Sequence, residues 1–508
     1  MSLDAALSIA SSGLANVSAQ LALVSHNVAN AGTPGYAAET GTQSARDAGG
    51  VGMGVATGPA IRLIDTQLQA TVQAQSATVA SLTTRQGALQ AIDAVQGTPG
   101  QGQDLASLLG ALGNQFSTLL NDPSNPTQQS AVVTAAGTLS GQINALSAAY
   151  TTQRQAAQDG IVSGIATVNT ALATIGSLSD QIMAAKAAGT STADLENQRD
   201  AQVASLAQTL DVKTLVQPNG DMIVTTASGT TLPTHGPADP LATAAANVQP
   251  GSYYPGGGIQ AVTLGGVDVT TALTGGQLGA NLTLRDATLP ADQAQLDEFS
   301  QNLASRFAAQ GLSLFTDAAG AVPAGGGTPV QAGYVGFAAV IQVNPAVTAS
   351  PSLVRDGTTA IAGSATGASA FTPNPPSGPA GFSTLISRIL TYALGADAQA
   401  GVAQPASHTT GLGATGTLSA PYAPPATLGD IATALVGAQA ADSATTTSQL
   451  ATAQATQTTL QGKLTSQSGV NMDTEMSTMI ALQNAYGANA KVMAAVQAMF
   501  TQLLGSIQ

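Results

Sequence analysis

The chain has 508 residues, with 13 Lys+Arg against 27 Asp+Glu for a net charge of −14; 44% of residues are hydrophobic, only 8% are charged, and cysteine is absent. At about 150 residues per domain this length predicts three or four domains, and the hydrophobic fraction is enough for packed cores. The acidic balance, with no Lys/Arg cluster to offset it, argues against nucleic-acid binding and docking on anionic lipid, and the missing cysteines exclude disulfides, thiolate metal sites and a cysteine nucleophile.

The first predicted element is a helix over residues 1–34. Leu3, Leu7, Ala10, Leu14, Val17, Leu21, Val24 and Val28 alternate steps of four and three, a heptad seam of the coiled-coil kind. Small residues dominate its other faces, and their lack of charge points to burial against something. Gly32-Thr33-Pro34-Gly35 ends the helix, because proline cannot continue it. The glycine-rich stretch 35–63 reads as an extended connector. Leu68, Val72, Val79, Leu82, Leu89 and Ile92 predict a long second helix, broken at Gly97-Thr98-Pro99-Gly100. Helices follow over Leu105–Leu120 and from Gln128 to about Gly189, with Asn121-Asp122-Pro123 as the turn, and another over Asp194–Leu210.

From about 212 to 285 the apolar period shifts toward two. Asn219-Gly220 between Val212–Val216 and Met222–Thr226 predicts a hairpin. A helix over Ala291–Gln310 interrupts, and 312–425, rich in Gly, Pro, Thr and Ala, reads as strands with long loops. Leu428–Leu464 is helical again. The last helix repeats the heptad through Met472, Met476, Met479, Gln483, Tyr486, Ala490, Met493, Gln497, Phe500, Leu504 and Ile507, with a second row at Leu482, Val496 and Leu503.

The expected fold class is an α+β multidomain protein: paired N- and C-terminal coiled-coil helices, an α-helical bundle domain, and β-rich outer domains inserted in mid-chain. The expected divisions are 1–34 with 469–508 as the terminal core; 35–211, 290–312 and 426–468 as a mainly helical rod-like domain; 212–289 as a β-rich domain; and 313–425 as a loop-rich outer one.

Asn27-Val28-Ala29-Asn30 followed by Thr33-Pro34-Gly35-Tyr36, and Gln483 to Val492 near the other end, resemble the terminal signatures of flagellar rod, hook and hook-associated proteins. Within that superfamily, Gly469-Val470-Asn471-Met472-Asp473-Thr474-Glu475 and Asp194-Leu195-Glu196-Asn197-Gln198-Arg199-Asp200 resemble the hook-associated protein 1 family. Where that family usually follows its Gly-Tyr with Ser-Arg-Gln, this chain has Ala37-Ala38-Glu39, which predicts a different contact there.

The resemblance implies a structural part of the flagellum rather than an enzyme, a junction between hook and filament at the distal end of the hook. It would be extracellular, exported unfolded without a cleavable signal peptide. Implied partners are further copies in a ring, the hook protein, the second hook–filament junction protein, and an export chaperone at the C-terminal helix. The ends are expected to lack order in the monomer and to fold on assembly. The assembly interface would comprise Leu3, Leu7, Leu14, Val17, Leu21, Val24, Val28, Asn27, Asn30, Pro34 and Tyr36 at one end. At the other it would comprise Met472, Met476, Met479, Tyr486, Asn489, Met493, Val496, Phe500 and Leu504.

Other chemistry finds little support. No cofactor or metal is expected: His26, His235 and His408 are the only histidines and lack ligand spacing. Gly49–Gly58 matches a phosphate loop in glycine content alone. Glu196 and Arg199 are spaced for a helix-surface ion pair. No secretory leader is expected, and no apolar stretch reaches the ~20 residues that span a bilayer, so membrane insertion is not expected. The alternatives are another axial protein (hook, rod or second junction protein) or, in another class, a secreted hydrolase whose carboxylates would come from Asp221, Asp239, Asp268, Asp286 and Asp317.

Overall fold

A computed structural model of the chain describes residues 3–33, 35–48, 51–237 and 239–505. It begins with helix α1 (Leu3–Asn30) and strands β1 (Glu39–Ala48) and β2 (Val51–Arg62). The expected extended connector is therefore an antiparallel hairpin, pairing Glu39 with Arg62 at its base and carrying two bulges. It lies along α1. Asn16 donates to Gln43 Oε1 at 2.7 Å and accepts from Thr57 Oγ1 at 3.1 Å, and the Val55 N–H donates to Ser12 Oγ at 3.2 Å. Gly54, at φ +113°, makes this approach possible, since a Cβ there would collide with Ser12.

Six α-helices and two small sheets follow. Helices α2 (Thr66–Gln96), α3 (Leu105–Asn121), α4 (Pro126–Ala188) and α5 (Ala193–Thr209) come first, and α2, α3 and α4 start where the sequence supplies caps. The Asp65 carboxylate accepts from Leu68 N–H, Asp104 from Ser107 N–H, and Asn125 from Thr127 and Gln128 N–H ahead of Pro126. Gly189 in the left-handed region ends α4. Strands β3 (Val212–Val216), β4 (Met222–Thr226) and β5 (Thr231–Leu232) form a three-stranded sheet, with the expected hairpin at Asn219-Gly220. A second small sheet joins β6 (Leu241–Ala242), β7 (Thr263–Leu264) and β8 (Val267–Asp268), before α6 (Gly276–Thr283), a π-helical turn over Leu284–Thr288, and α7 (Leu289–Ala309).

The stretch 313–425 departs from the expected β-rich domain. Its strands, β9 (Phe315–Thr316), β10 (Gln342–Val343), β11 (Asp397–Gln399), β12 (Val402–Ala403), β13 (Thr410–Leu412) and β14 (Leu418–Ser419), are two or three residues long, and α8 (Pro345–Ala349), α9 (Leu353–Asp356) and α10 (Thr384–Arg388) lie among them. Frequent Gly and Pro stop each extended run before a sheet can grow. Two long helices close the chain, α11 (Leu428–Ser468), opened by a Thr427–Asp430 capping box, and α12 (Met472–Gly505).

There are two hydrophobic cores. The first joins the end of α2, α3, the first half of α4 (Val132 to Ala157), α7, the apolar residues of 312–393 and the start of α11. The second joins the next part of α4 (Ile161 to Ile175), α5, the β3–β5 sheet, Leu241, Val262 and α6. Residues 212–282 thus share a core with α4 and α5, because their strands are too few to bury an apolar face among themselves.

Two helices, α1 and α4, are long and apolar enough by length and composition to cross a bilayer, which corrects the expectation that no stretch is. Alanine and uncharged small residues raise their hydropathy without forming a run of large side chains. About half of the most apolar stretch of α4 is buried inside the protein.

Candidate assembly interface

Helices α1 and α12 pack against each other, and α1 also packs on the β1–β2 hairpin. On α1 the covered side is the heptad seam. Val17 and Val24 are buried, and Leu3, Leu7, Leu14, Leu21 and Val28 are half-buried. Its outward side is a row of small residues, including Ser8, Ser11, Ala15, Ser18, Ala22, Ser25 and Ala29. Gly13 admits α12 closely, since a Cβ there would stand 3.3 Å from Asn489 Oδ1.

The structure divides the expected α12 residues. Val496 is buried, and Met479, Leu482, Asn489, Met493 and Phe500 are half-buried. Met472, Met476, Tyr486 and Leu504 are exposed instead, Leu504 at 65%. With Ile480, Val492, Met499 and Leu503 they make α12 the site of eight of the 17 large exposed hydrophobic residues among those described. The covered row mixes the two rows of the sequence pattern, taking Met479, Met493 and Phe500 from the first and Leu482 and Val496 from the second, while Leu503 of the second row is exposed. Ile480 and Val492 were missed by sequence reasoning, although their apolar character at an uncovered helix position was the available signal.

The signature residues meet at the foot of α1. Asn27, 1% exposed, donates to the Glu39 carbonyl at 2.9 Å and to Glu475 Oε1 at 3.1 Å. Its Oδ1 accepts from the Tyr36 hydroxyl at 3.0 Å and from Glu39 N–H at 3.0 Å. One side chain therefore ties α1, β1 and α12 together. His26 Nδ1 lies 3.2 Å from the Tyr36 hydroxyl, ring edge to face, and 3.8 Å from Glu39. Asn30 donates back to the His26 carbonyl. Burial and then the Glu39 charge push the Tyr36 phenol well up, so it remains a donor. Burial also raises the Glu39 carboxyl, with His26 opposing. Pro34 lies outside the described residues.

The divergent Ala37-Ala38-Glu39 segment faces the helical body. Asn197 of α5 accepts from Ala37 N–H at 3.2 Å and donates to its carbonyl at 3.3 Å, and Ala38 N–H donates to the Ser468 carbonyl at 2.8 Å. The expected Glu196–Arg199 surface pair is replaced by two separate interactions. Glu196 and Asp200 bind Arg62 of β2, at 3.1 and 2.8 Å. Arg199 is buried and donates to the Gly220 carbonyl at 2.7 Å and to Ser179 Oγ at 3.2 Å, holding the hairpin turn on α4. Arg62 carried no sequence signal, because its partners lie 134 and 138 positions away.

The remaining histidines are dispersed. His235 Nε2 is 3.2 Å from Asp180, and His408 Nδ1 is 3.2 Å from Glu298. Among the described residues no group of three or more His, Cys, Asp or Glu could hold a metal ion. Three of the aspartates considered for hydrolysis make local structural contacts. Asp268 accepts from the Tyr254 hydroxyl, Asp286 pairs with Arg285, and Asp317 accepts from the N–H groups of Ala319 and Ala321. Gly52–Gly58 belongs to β2, and Gly49 and Gly50 lie outside the described residues.

Residues 89–320 match the family described as the flagellar hook-associated protein FlgK helical domain. Residues 7–36 match the flagella basal body rod protein family, and 460–505 the flagellar basal body rod FlgEFG protein C-terminal family. The chain is 28% identical over 309 residues to flagellar hook-associated protein 1 of Salmonella typhimurium, covering 59% of this chain and 55% of that one. It is 26% identical over 313 residues to flagellar hook-associated protein 1 of Escherichia coli, covering 59% and 56%. It thus spans little more than half the length of these curated relatives. A solved structure, the flagellar hook junction protein FlgK from Burkholderia pseudomallei, aligns over 50% of this chain and 45% of its own at 25% identity, with a TM-score of 0.40. The helical body of the chain is thus similar to the FlgK helical domain, and both of its ends are similar to the related flagellar rod families, which supports a place in the FlgK family of the flagellar rod and hook superfamily.

Proposed function

We propose that this protein is a structural adaptor of the bacterial flagellum, joining hook to filament at the distal end of the hook. The observation that carries the reading is the bare apolar face of α12, beside a covered α1 seam, in a chain of this family. A large unpaired apolar face on a helix calls for a partner, and covering it contributes about 25 cal/mol per Å². Copies of the chain form a ring through the terminal helices. The residues Leu3, Leu7, Leu14, Val17, Leu21, Val24 and Val28 hold the intrachain pair, and Met472, Met476, Tyr486 and Leu504 face neighbours. The hook protein lies on one side and the second junction protein on the other. Before assembly an export chaperone covers α12, whose methionines adapt to more than one surface. The protein reaches the cell exterior through the flagellar export apparatus, and the mid-chain segments project outward.

The test is a deletion strain, imaged by negative-stain electron microscopy with flagellin assayed in the medium. Hooks without filaments, with flagellin shed, are expected, and a plasmid copy restores filaments. Normal filaments would overturn the proposal. Absence of hooks would move the protein to the rod or hook.

A further inference from the structure

Three stretches of chain pass between the terminal pair and the helical body: residues 36–39 after α1, 62–65 after β2, and 468–471 before α12. The first two meet the start of α5, and the third is hydrogen-bonded to both of them. Leu63 N–H donates to the Ala38 carbonyl at 3.4 Å, and Asp65 N–H donates to Ser468 Oγ at 3.3 Å. Asn197, buried, grips both backbone groups of Ala37 as a neighbouring strand would. Arg62, with its side chain 8% exposed, donates from Nε to Glu196 Oε2 at 3.1 Å and from Nη1 to Asn197 Oδ1 at 3.0 Å and Asp200 Oδ2 at 2.8 Å.

We infer that Arg62 and Asn197 are positioning residues that fix the angle at which the terminal helix pair and its hairpin leave the helical body. Three observations support this. The terminal pair meets the body chiefly where β2 touches α5, and bodies joined by so small a contact move relative to one another by default. Glu196 and Asp200 stand four positions apart on one helix face, where two carboxylates repel unless a cation lies between them. A guanidinium is planar and carries five donors, so it can engage three acceptors at fixed angles where an ammonium cannot. One of only 13 cations in the chain is held here, outside both hydrophobic cores. The inference concerns this chain's own geometry and does not depend on the flagellar position proposed above.

The absence of cysteine allows spin labels at Ser44→Cys on β1 and Ala173→Cys on α4, both exposed, in the purified full-length protein. Pulsed dipolar spectroscopy is expected to give one narrow distance distribution. Arg62→Gln and Asn197→Ala are each expected to broaden it about twofold, while far-UV circular dichroism and the melting of the helical body stay unchanged. Arg62→Lys, which keeps the charge without the fork, is expected to fall between. A distribution as narrow in both variants as in the parent would overturn the inference, as would a broad one in the parent. Loss of helicity in both variants would also overturn it, by making these residues part of the fold itself.

Discussion

Asn27 shows how one amide can close a junction. Its Oδ1 accepts twice and its Nδ2 donates twice, with partners in β1, in α12 and at Tyr36 in the loop between α1 and β1. Asn27→Ala leaves the Glu39 N–H and the Tyr36 hydroxyl without that acceptor, at an expected cost of about 2 to 3 kcal/mol in local stability. Hydrogen exchange at Glu39 and Thr40 measures it, and unchanged protection would count against the role. Asp292 of α7 presents a different problem. Burial first, then Asp442 of α11, push its carboxyl up to about 8, with Arg85 of α2 opposing. Tyr150 of α4 and Tyr422 also face it. An aspartate raised in this way keeps its proton in the folded state while the unfolded chain loses it near pH 4. Stability is therefore full below pH 4, falls as pH rises toward 8, and levels off above that. Asp292→Asn is expected to flatten this slope and to raise the melting temperature more at pH 8 than at pH 5. Asp297, raised by burial to about 7, adds to the same window and leaves a residual slope. At this scale Asn27 and Tyr36 were legible, because they sit in one short signature. Arg62 and Asp292 were not, because their partners come from distant parts of the chain.

Among the elements, the long helices could be read from apolar spacing and caps. The predicted Leu105–Leu120 and Asp194–Leu210 differ from α3 and α5 by one residue at one end or at each end. Reading α12 as a helix did not say which of its rows would meet α1, because apolar residues recur at heptad spacing on more than one face. Close approach at Gly13 selects the row containing Asn489, which carries Met479 and Met493, and Met472, Met476 and Met499 are left outward. Ile480→Asp on that outward face, 58% exposed, is expected to change monomer stability by no more than about 0.5 kcal/mol. It is expected to abolish incorporation into flagella, scored by immunogold labelling of isolated hooks. Normal incorporation would remove this face from the interface. The 313–425 stretch was misread for a physical reason. Strand propensity describes a half-buried pleated surface, but here side chains such as Phe315, Phe337 and Phe371 reach the core singly from a two-residue strand, a single helical turn and a loop, a pattern without a period.

At the scale of the whole molecule, few charges and many small uncharged residues let long helices lie close together. Polar order is concentrated at a few buried nodes, such as Arg154, which donates to the carbonyls of Arg285, Gln249, Pro250 and Ser252. Such nodes fix loops to α4 without a surface ion-pair network. Helix α4 itself passes through both hydrophobic cores without a break. At about 1.5 Å per residue its 63 residues make a continuous beam close to 95 Å long. A beam anchored in two cores carries torque from one end to the other with little loss. Compliance therefore has to reside where no helix runs, in the three short crossings beside α5, so any bending of this protein under load is concentrated at its narrowest waist.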